Sequence, residues 1–262
     1  MSTISRRTLL QLAGAASLAA AASAAARAEG LPEGGAAPLF AVTRPIHVGD
    51  VTLRVRDLDT MTGYYRVMLG LDVLSQSADA VALGAGGGTL LTLERHADAV
   101  IEPRRAAGLY HTAFLMPSRV DLARWLVHVA MLRVPLTGFS DHLVSEAVYL
   151  DDPEGNGIEV YSDRPESGWL WVAGRVGMGS EPLDIDGLLT LADPTTNTYA
   201  AAPAGLRVGH LHLRAGDIAA ATAFYGTALG FEITSGRGDA VFLATGGYHH
   251  HLALNTWESA GA

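Results

Sequence analysis

Apolar and polar residues alternate in two segments of this chain, Asp50 to Val55 and His210 to Ala215, which puts every second side chain on one face. That period predicts a strand in each. Behind each strand the spacing becomes helical: in the later segment Ile218, Ala221, Tyr225, Ala228 and Leu229 share one helical face. Asp57 and Asp217 stand where a carboxylate caps the first turn, and Gly70 and Gly230 where glycine ends the last. Short strands with Gly-rich turns follow at Ala80 to Leu83, Leu90 to Glu94, Ala240 to Ala244 and His251 to Asn255. Each unit therefore reads β-α-β-β-β.

The two units are copies. Val48-Gly49-Asp50-Val51-Thr52-Leu53-Arg54 recurs as Val208-Gly209-His210-Leu211-His212-Leu213-Arg214, and Tyr64-Tyr65 and Leu69-Gly70-Leu71 recur as Phe224-Tyr225 and Leu229-Gly230-Phe231. Every pair is offset by 160 positions. A more diverged copy lies between them. It has a strand at Leu109 to Leu115, a helix at Val120 to Leu132, and strands at Glu146 to Leu150 and Gly157 to Tyr161 around the turn Asp151-Asp152-Pro153-Glu154-Gly155-Asn156. The expectation is an α+β fold of three βαβββ modules, at 46–98, 106–164 and 206–262, forming curved mixed sheets around a cleft. Segments 29–45 and 165–205 read as linkers, the second with a short amphipathic piece at Ile185 to Leu191.

The first 28 residues read as an address. Arg6-Arg7 precedes an Ala-rich apolar run from Leu9 to Ala26, and Ala26-Arg27-Ala28 is a small-x-small cleavage site. The paired arginines match a twin-arginine export signal, so the expected location is periplasmic or extracellular. No other run is apolar enough to span a membrane.

Composition narrows the chemistry. Lys and Arg number 18 against 27 Asp and Glu, a net charge of −9, which argues against a nucleic-acid partner. With no Cys, disulfides, thiolate zinc sites, iron–sulfur clusters and a cysteine nucleophile are excluded. Ten His remain, so a metal would sit on N and O donors. His111 and His210 are expected at the heads of equivalent strands, opposite each other across a pseudo-two-fold, with Glu159 beside them. Taken singly, each has a plain reading as a core or surface residue. Together, two His and one carboxylate make the facial triad of non-haem Fe(II) or Mn(II).

These repeats, with Asp-Pro-x-Gly-Asn-x-Ile-Glu before the last strand of the middle copy, resemble the vicinal oxygen chelate superfamily of glyoxalases, bleomycin resistance proteins and extradiol dioxygenases. The run from His142 through Val148-Tyr149-Leu150-Asp151-Asp152-Pro153-Glu154-Gly155 to Glu159 resembles the ring-cleavage extradiol signature, apart from Ser140. The mature chain is similar to the catechol-2,3-dioxygenase-like subgroup, without that subgroup's fourth module. The resemblance implies His111, Glu159 and His210 as metal ligands, and His142 and Tyr149 as groups contacting substrate oxygens. It implies His250 as acid–base residue, with His249 and His251 as competitors. The implied activity is extradiol cleavage of a small aromatic diol by O2, with Fe(II) first and Mn(II) second as cofactor. A glyoxalase-like isomerase or lyase and a non-catalytic binding protein of the same fold are the alternatives. The isomerase wants a fourth ligand, and Ala253 stands where the third unit would offer it. Asp50 and Thr92 leave the first unit without a triad of its own, so its role is structural and its uncovered apolar surface would suit a homodimer.

Overall fold

The computed structural model describes residues 38–262, so the export segment and most of the first linker lie outside the described residues. Two sheets carry the architecture. The first unit supplies β1 (Val51–Val55), α1 (Leu58–Met68), β2 (Asp72–Gln76), β3 (Ala80–Ala85) and β4 (Gly88–Arg95), with sheet order β1-β4-β3-β2. The second supplies β5 (Gly108–Leu115), α2 (Arg119–Met131), β6 (Gly138–Asp141), β7 (Ser145–Asp151) and β8 (Gly157–Asp163). A small hairpin, β9 (Trp171–Val172) and β10 (Arg175–Val176), and α3 (Ile185–Leu189) lead to the third unit. That unit has β11 (Arg207–Arg214), α4 (Ile218–Thr222), β12 (Glu232–Arg237), β13 (Ala240–Ala244) and β14 (Leu252–Asn255). The second and third units merge into one curled mixed sheet of eight strands, ordered β12-β13-β14-β11-β5-β8-β7-β6.

Local chemistry explains the elements. The Asp57 carboxylate accepts the Thr60 N–H at 3.0 Å and Asp217 that of Ala220 at 2.9 Å, so both helices start at their caps. Gly70 (φ 68°) and Gly230 (φ 81°) adopt the left-handed turn that glycine enters without a Cβ penalty. The helix of the third unit departs from expectation: after Thr222, α4 widens into a π-helical stretch, Ala223–Ala228. The segment 165–205 does more than link. Its Trp169 and Val176 are buried on the site side of the large sheet, and its Leu183, Ile185, Leu188 and Leu189 join the core shared by the first two units.

The first unit braces the second. Trp125 of α2 donates its indole N–H to the Met68 carbonyl of α1 at 3.0 Å. Tyr64 donates its hydroxyl to the Asp151 carbonyl, and Tyr65 to the Asp152 carboxylate at 2.8 Å. The Glu154 carboxylate accepts the backbone N–H groups of Arg56 and Asp57, both at 2.9 Å. The turn that launches β8 is thus held from two sides. The apolar face of the first sheet is covered: Val51, Leu53, Val55, Val81, Leu83, Leu91 and Leu93 are all buried. Its outward face carries Thr52, Arg54, Thr92 and Glu94, and its edge strand β2 exposes Val73 and Leu74.

Two expectations about the central strands need correcting. His111 and His210 do not begin their strands; each is the fourth residue, because β5 and β11 pair antiparallel with each other and so extend beyond the repeat's first turn. Nor do they face each other. The pseudo-two-fold passes by the Leu211–Thr112 pair, so His210 faces Ala113 and His111 faces His212. The two imidazoles are diagonal neighbours on one face, and Ala113 leaves room between them.

Each His follows a bulge. The register skips Gly209 in β11 and Tyr110 in β5, so equivalent residues of the two units become the extra residue. At Gly209 only glycine fits: a Cβ would overlap the Tyr161 hydroxyl. Gly209→Ala must displace Tyr161 or shift β11, and is expected to cost about 1–3 kcal/mol. Urea denaturation of the metal-free protein checks this.

Candidate metal centre

Four strands deliver the site. Tyr149 faces Glu159, Glu159 faces Ala113 and Ala113 faces His210, which makes one row across β7, β8, β5 and β11. His111 lies two residues from Ala113 on the same face. In space, Glu159 Oε2 is 3.0 Å from His111 Nε2 and 3.3 Å from His210 Nε2, and the three donor atoms lie within 4.8 Å of one another. All three side chains are buried.

The donor set fits a divalent cation. The His111 Nε2 contact with Glu159 lacks hydrogen-bond geometry, and that nitrogen has no other partner among the described residues. His210 Nδ1 is likewise buried without one. Burial pulls His210 down to about 4 despite the carboxylate beside it. Burial would raise Glu159, but the flanking imidazoles hold it well below the usual carboxylate range. At neutral pH His210 is therefore a neutral ring facing a carboxylate, the ionisation state metal ligation requires of each. Three buried donors converging with so few hydrogen bonds among themselves would be costly unless a cation joined them.

Around the triad the other sequence-derived residues gather. His142 lies in the turn between β6 and β7. Its Nδ1–H donates to the Gly179 carbonyl at 2.7 Å, so in the neutral ring Nε2 accepts the Tyr149 hydroxyl at 2.6 Å. The Tyr149 ring lies 5.7 Å from the His111 ring. Burial first, and the Glu159 carboxylate second, push its hydroxyl pKa well up. On the other flank the His250 ring packs against His210 at a tilt, with centroids 4.1 Å apart.

The three consecutive histidines have different jobs. His249 Nε2–H donates to the Asp163 carboxylate at 2.8 Å. With its hydrogen on Nε2, the His249 ring offers Nδ1 as an acceptor, and that atom is 2.8 Å from His250 Nδ1. His250 must therefore carry its proton on Nδ1 and a lone pair on Nε2. Burial and the neighbouring imidazoles hold its pKa well below the usual range. His251 uses both nitrogens on backbone: Nε2–H donates to the Ala41 carbonyl at 2.9 Å, and Nδ1 accepts the Thr245 N–H.

His251 also carries a pH prediction. Burial lowers it to about 4. A folded pKa below the unfolded one means that the unfolded chain takes up the proton first on acidification. His251 therefore adds stability above about pH 6.5 and loses it as pH falls toward 4, on the order of 2–3 kcal/mol. His212 and His250, also lowered by burial, tilt the balance the same way. The metal-free protein should need less urea to unfold at pH 4.5 than at pH 7, and His251→Gln should flatten that slope.

Sequence reasoning missed five neighbours of the site. Asp163 and Tyr161 continue β8 beyond Glu159, and Tyr161 donates to or accepts from Tyr248 at 2.8 Å. His212 lies two residues from His210 on the same strand face, and Asn255 bonds it at 2.9 Å. The His-x-His spacing in an alternating strand was the available signal for His212.

Fold and site together define a metal-binding βαβββ protein whose cleft joins two modules. The sequence profile of the Glyoxalase/Bleomycin resistance protein/Dioxygenase superfamily matches residues 47–160 and 207–260. The chain belongs to that superfamily. It is 39% identical over 221 residues to a catechol-2,3-dioxygenase of Bacillus subtilis (strain 168), covering 82% of this chain and 76% of the relative. A crystal structure from Bacillus subtilis subsp. subtilis str. 168, described as a dioxygenase candidate, superposes with a TM-score of 0.54 at 19% identity. That match covers 80% of this chain, which spans 63% of the length of the solved one. Among the described residues no helix is long and apolar enough to cross a membrane.

Proposed function

We propose that this chain is a metal-dependent extradiol dioxygenase that opens the ring of a catechol-type aromatic diol with O2. The observation that carries the reading is the convergence of His111, Glu159 and His210, with His111 Nε2 and His210 Nδ1 buried and without a hydrogen-bond partner among the described residues. The similarity to a catechol-2,3-dioxygenase supports it. A bound redox-capable ion, Fe(II) ahead of Mn(II), would supply positive charge for the two diol oxygens and an electronic path to O2.

The chain's own residues prepare that chemistry. His250 Nε2 carries the lone pair that takes a proton from a diol hydroxyl, because Asp163 and His249 fix the ring's tautomer from behind. His249 and His251 have no free nitrogen for the task. His142 and Tyr149, tied to each other and to the Gly179 carbonyl, form a rigid polar pair that orients substrate oxygens. Trp169 and Tyr248 pack against His249 and keep the base side dry. Both atoms of O2 enter the ring-opened product, so no external reductant is needed. The twin-arginine segment supports export, with the reaction outside the cytoplasm.

A glyoxalase-type reaction is disfavoured by one observation: the place symmetric to Glu159 holds Ala253, which faces His212, and His212 spends its Nε2 on Asn255. The test is direct. Protein reconstituted anaerobically with Fe(II) or Mn(II) should hold about one ion per triad and convert catechol to a yellow ring-fission product in air. Metal without product favours the isomerase, and no metal uptake leaves a binding module.

A further inference from the structure

The bulge in β5 has a second consequence. As the extra residue, Tyr110 escapes strict alternation and its ring lies on the same side as His111 and His212, with centroid distances of 5.5 and 4.8 Å. Trp257 closes the group, 5.5 Å from Tyr110 and 5.3 Å from His212. His212 is buried, while Trp257 is two-fifths exposed at the rim. None of these residues is needed to complete the triad, yet they form an aromatic wall directly beside His111.

The hydrogen bonds of this wall define a direction. The Trp257 backbone N–H can only donate, and it reaches Asn255 Oδ1 at 3.2 Å. That fixes the Asn255 amide, so its Nδ2 is the atom 2.9 Å from His212 Nε2. An amide nitrogen donates, so His212 Nε2 must be bare and the ring proton sits on Nδ1. Nδ1 has no hydrogen-bond partner among the described residues, and it is not among the sealed buried atoms that lack one. The third unit thus holds a neutral ring with a fixed, free N–H donor.

The pseudo-symmetry shows where that donor stands. His212 occupies the place that Ala113 has in the second unit, and Ala253 the place of Glu159. One half of the cleft therefore presents a carboxylate beside a small residue, and the other a small residue beside an imidazole donor. A bound molecule would meet an acceptor side and a donor side.

We propose that His212 is a substrate-binding residue: its Nδ1–H donates to an oxygen of the bound aromatic diol, Asn255 sets the tautomer, and Tyr110 and Trp257 wall the ring substituents. This rests on the diol reading above and adds a recognition element to it. The diol oxygen nearest His212 gains a hydrogen bond on the side opposite the His142–Tyr149 pair, so the ring has one preferred orientation.

The test combines tautomer and affinity. In the metal-free protein, 15N NMR of His212 should show protonated Nδ1 and bare Nε2, and Asn255→Leu should mix the tautomers. In Fe(II)-loaded protein under anaerobic conditions, His212→Phe should keep the wild-type metal content and weaken catechol binding about tenfold, the loss of one buried hydrogen bond. His212→Asn, which restores an N–H donor near the Nδ1 position, should recover affinity. Protonated Nε2 in the wild type overturns the inference. So does equal catechol affinity of wild type and His212→Phe, which leaves the diol reading intact. Failure of the metal-loaded wild type to bind catechol at all removes the diol reading and this inference with it.

Discussion

His210→Ala should abolish stoichiometric metal uptake and cut catechol turnover to below about a thousandth, the loss expected when several kcal/mol of charge stabilisation and orientation disappear. The geometry explains why one ligand suffices. Glu159 lies between the two imidazoles, 3.0 and 3.3 Å from their Nε2 atoms. Removing either ring leaves a two-donor site with a buried carboxylate, too few ligands to compensate dehydration of the ion. The same variant tests whether the triad exists for stability. If the ring were merely packing, urea midpoints would fall and metal content would stay. If it is a ligand, metal content falls first, and the metal-free proteins differ little beyond the cost of one cavity. Metal analysis after anaerobic reconstitution and dialysis, beside urea denaturation of the metal-free forms, separates the two. Full metal content in His210→Ala would remove the site assignment.

How the site could be read beforehand follows from what each residue depends on. His111, Glu159 and His210 depend on strand alternation and on the internal repeat, both written in the order of residues. The caps at Asp57 and Asp217 and the turns at Gly70 and Gly230 are local, and the structure has them where the pattern puts them. His212 was hidden because its neighbourhood depends on register: whether β11 residue 212 faces residue 111 turns on the bulges at Tyr110 and Gly209. The widening of α4 at Ala223–Ala228 has no signal in the apolar spacing. The partners of His142 and His251 are the backbone carbonyls of Gly179 and Ala41, and a carbonyl has no residue identity to read. Asp163 carries a side chain but reaches His249 from another unit, so only the pairing of β5 with β11 brings them together.

That same pairing underlies the second large effect. His250→Gln should lower kcat for catechol by about 10²–10⁴-fold, the range for loss of a positioned general base, with metal content unchanged. Gln can hydrogen-bond where imidazole did but offers no basic nitrogen lone pair to a diol proton. Asp163→Ala should also leave metal content unchanged and lower kcat by less, because it acts through two rings rather than at the substrate. Without the carboxylate, His249 is free to place its proton on Nδ1, which then turns toward His250 Nδ1 and forces the lone pair there. His250 would carry its proton on Nε2, and the side facing the substrate would become a donor. The order of the two losses therefore distinguishes the chain Asp163–His249–His250 from a simple cluster of packed rings. Packed rings would lose stability in both variants with no fixed ranking of kcat. A hydrogen-bonded chain ranks them by distance from the substrate and leaves the KM for catechol nearly unchanged in Asp163→Ala. Steady-state kinetics of the two variants at saturating O2, with metal content measured on the same samples, decides between these outcomes.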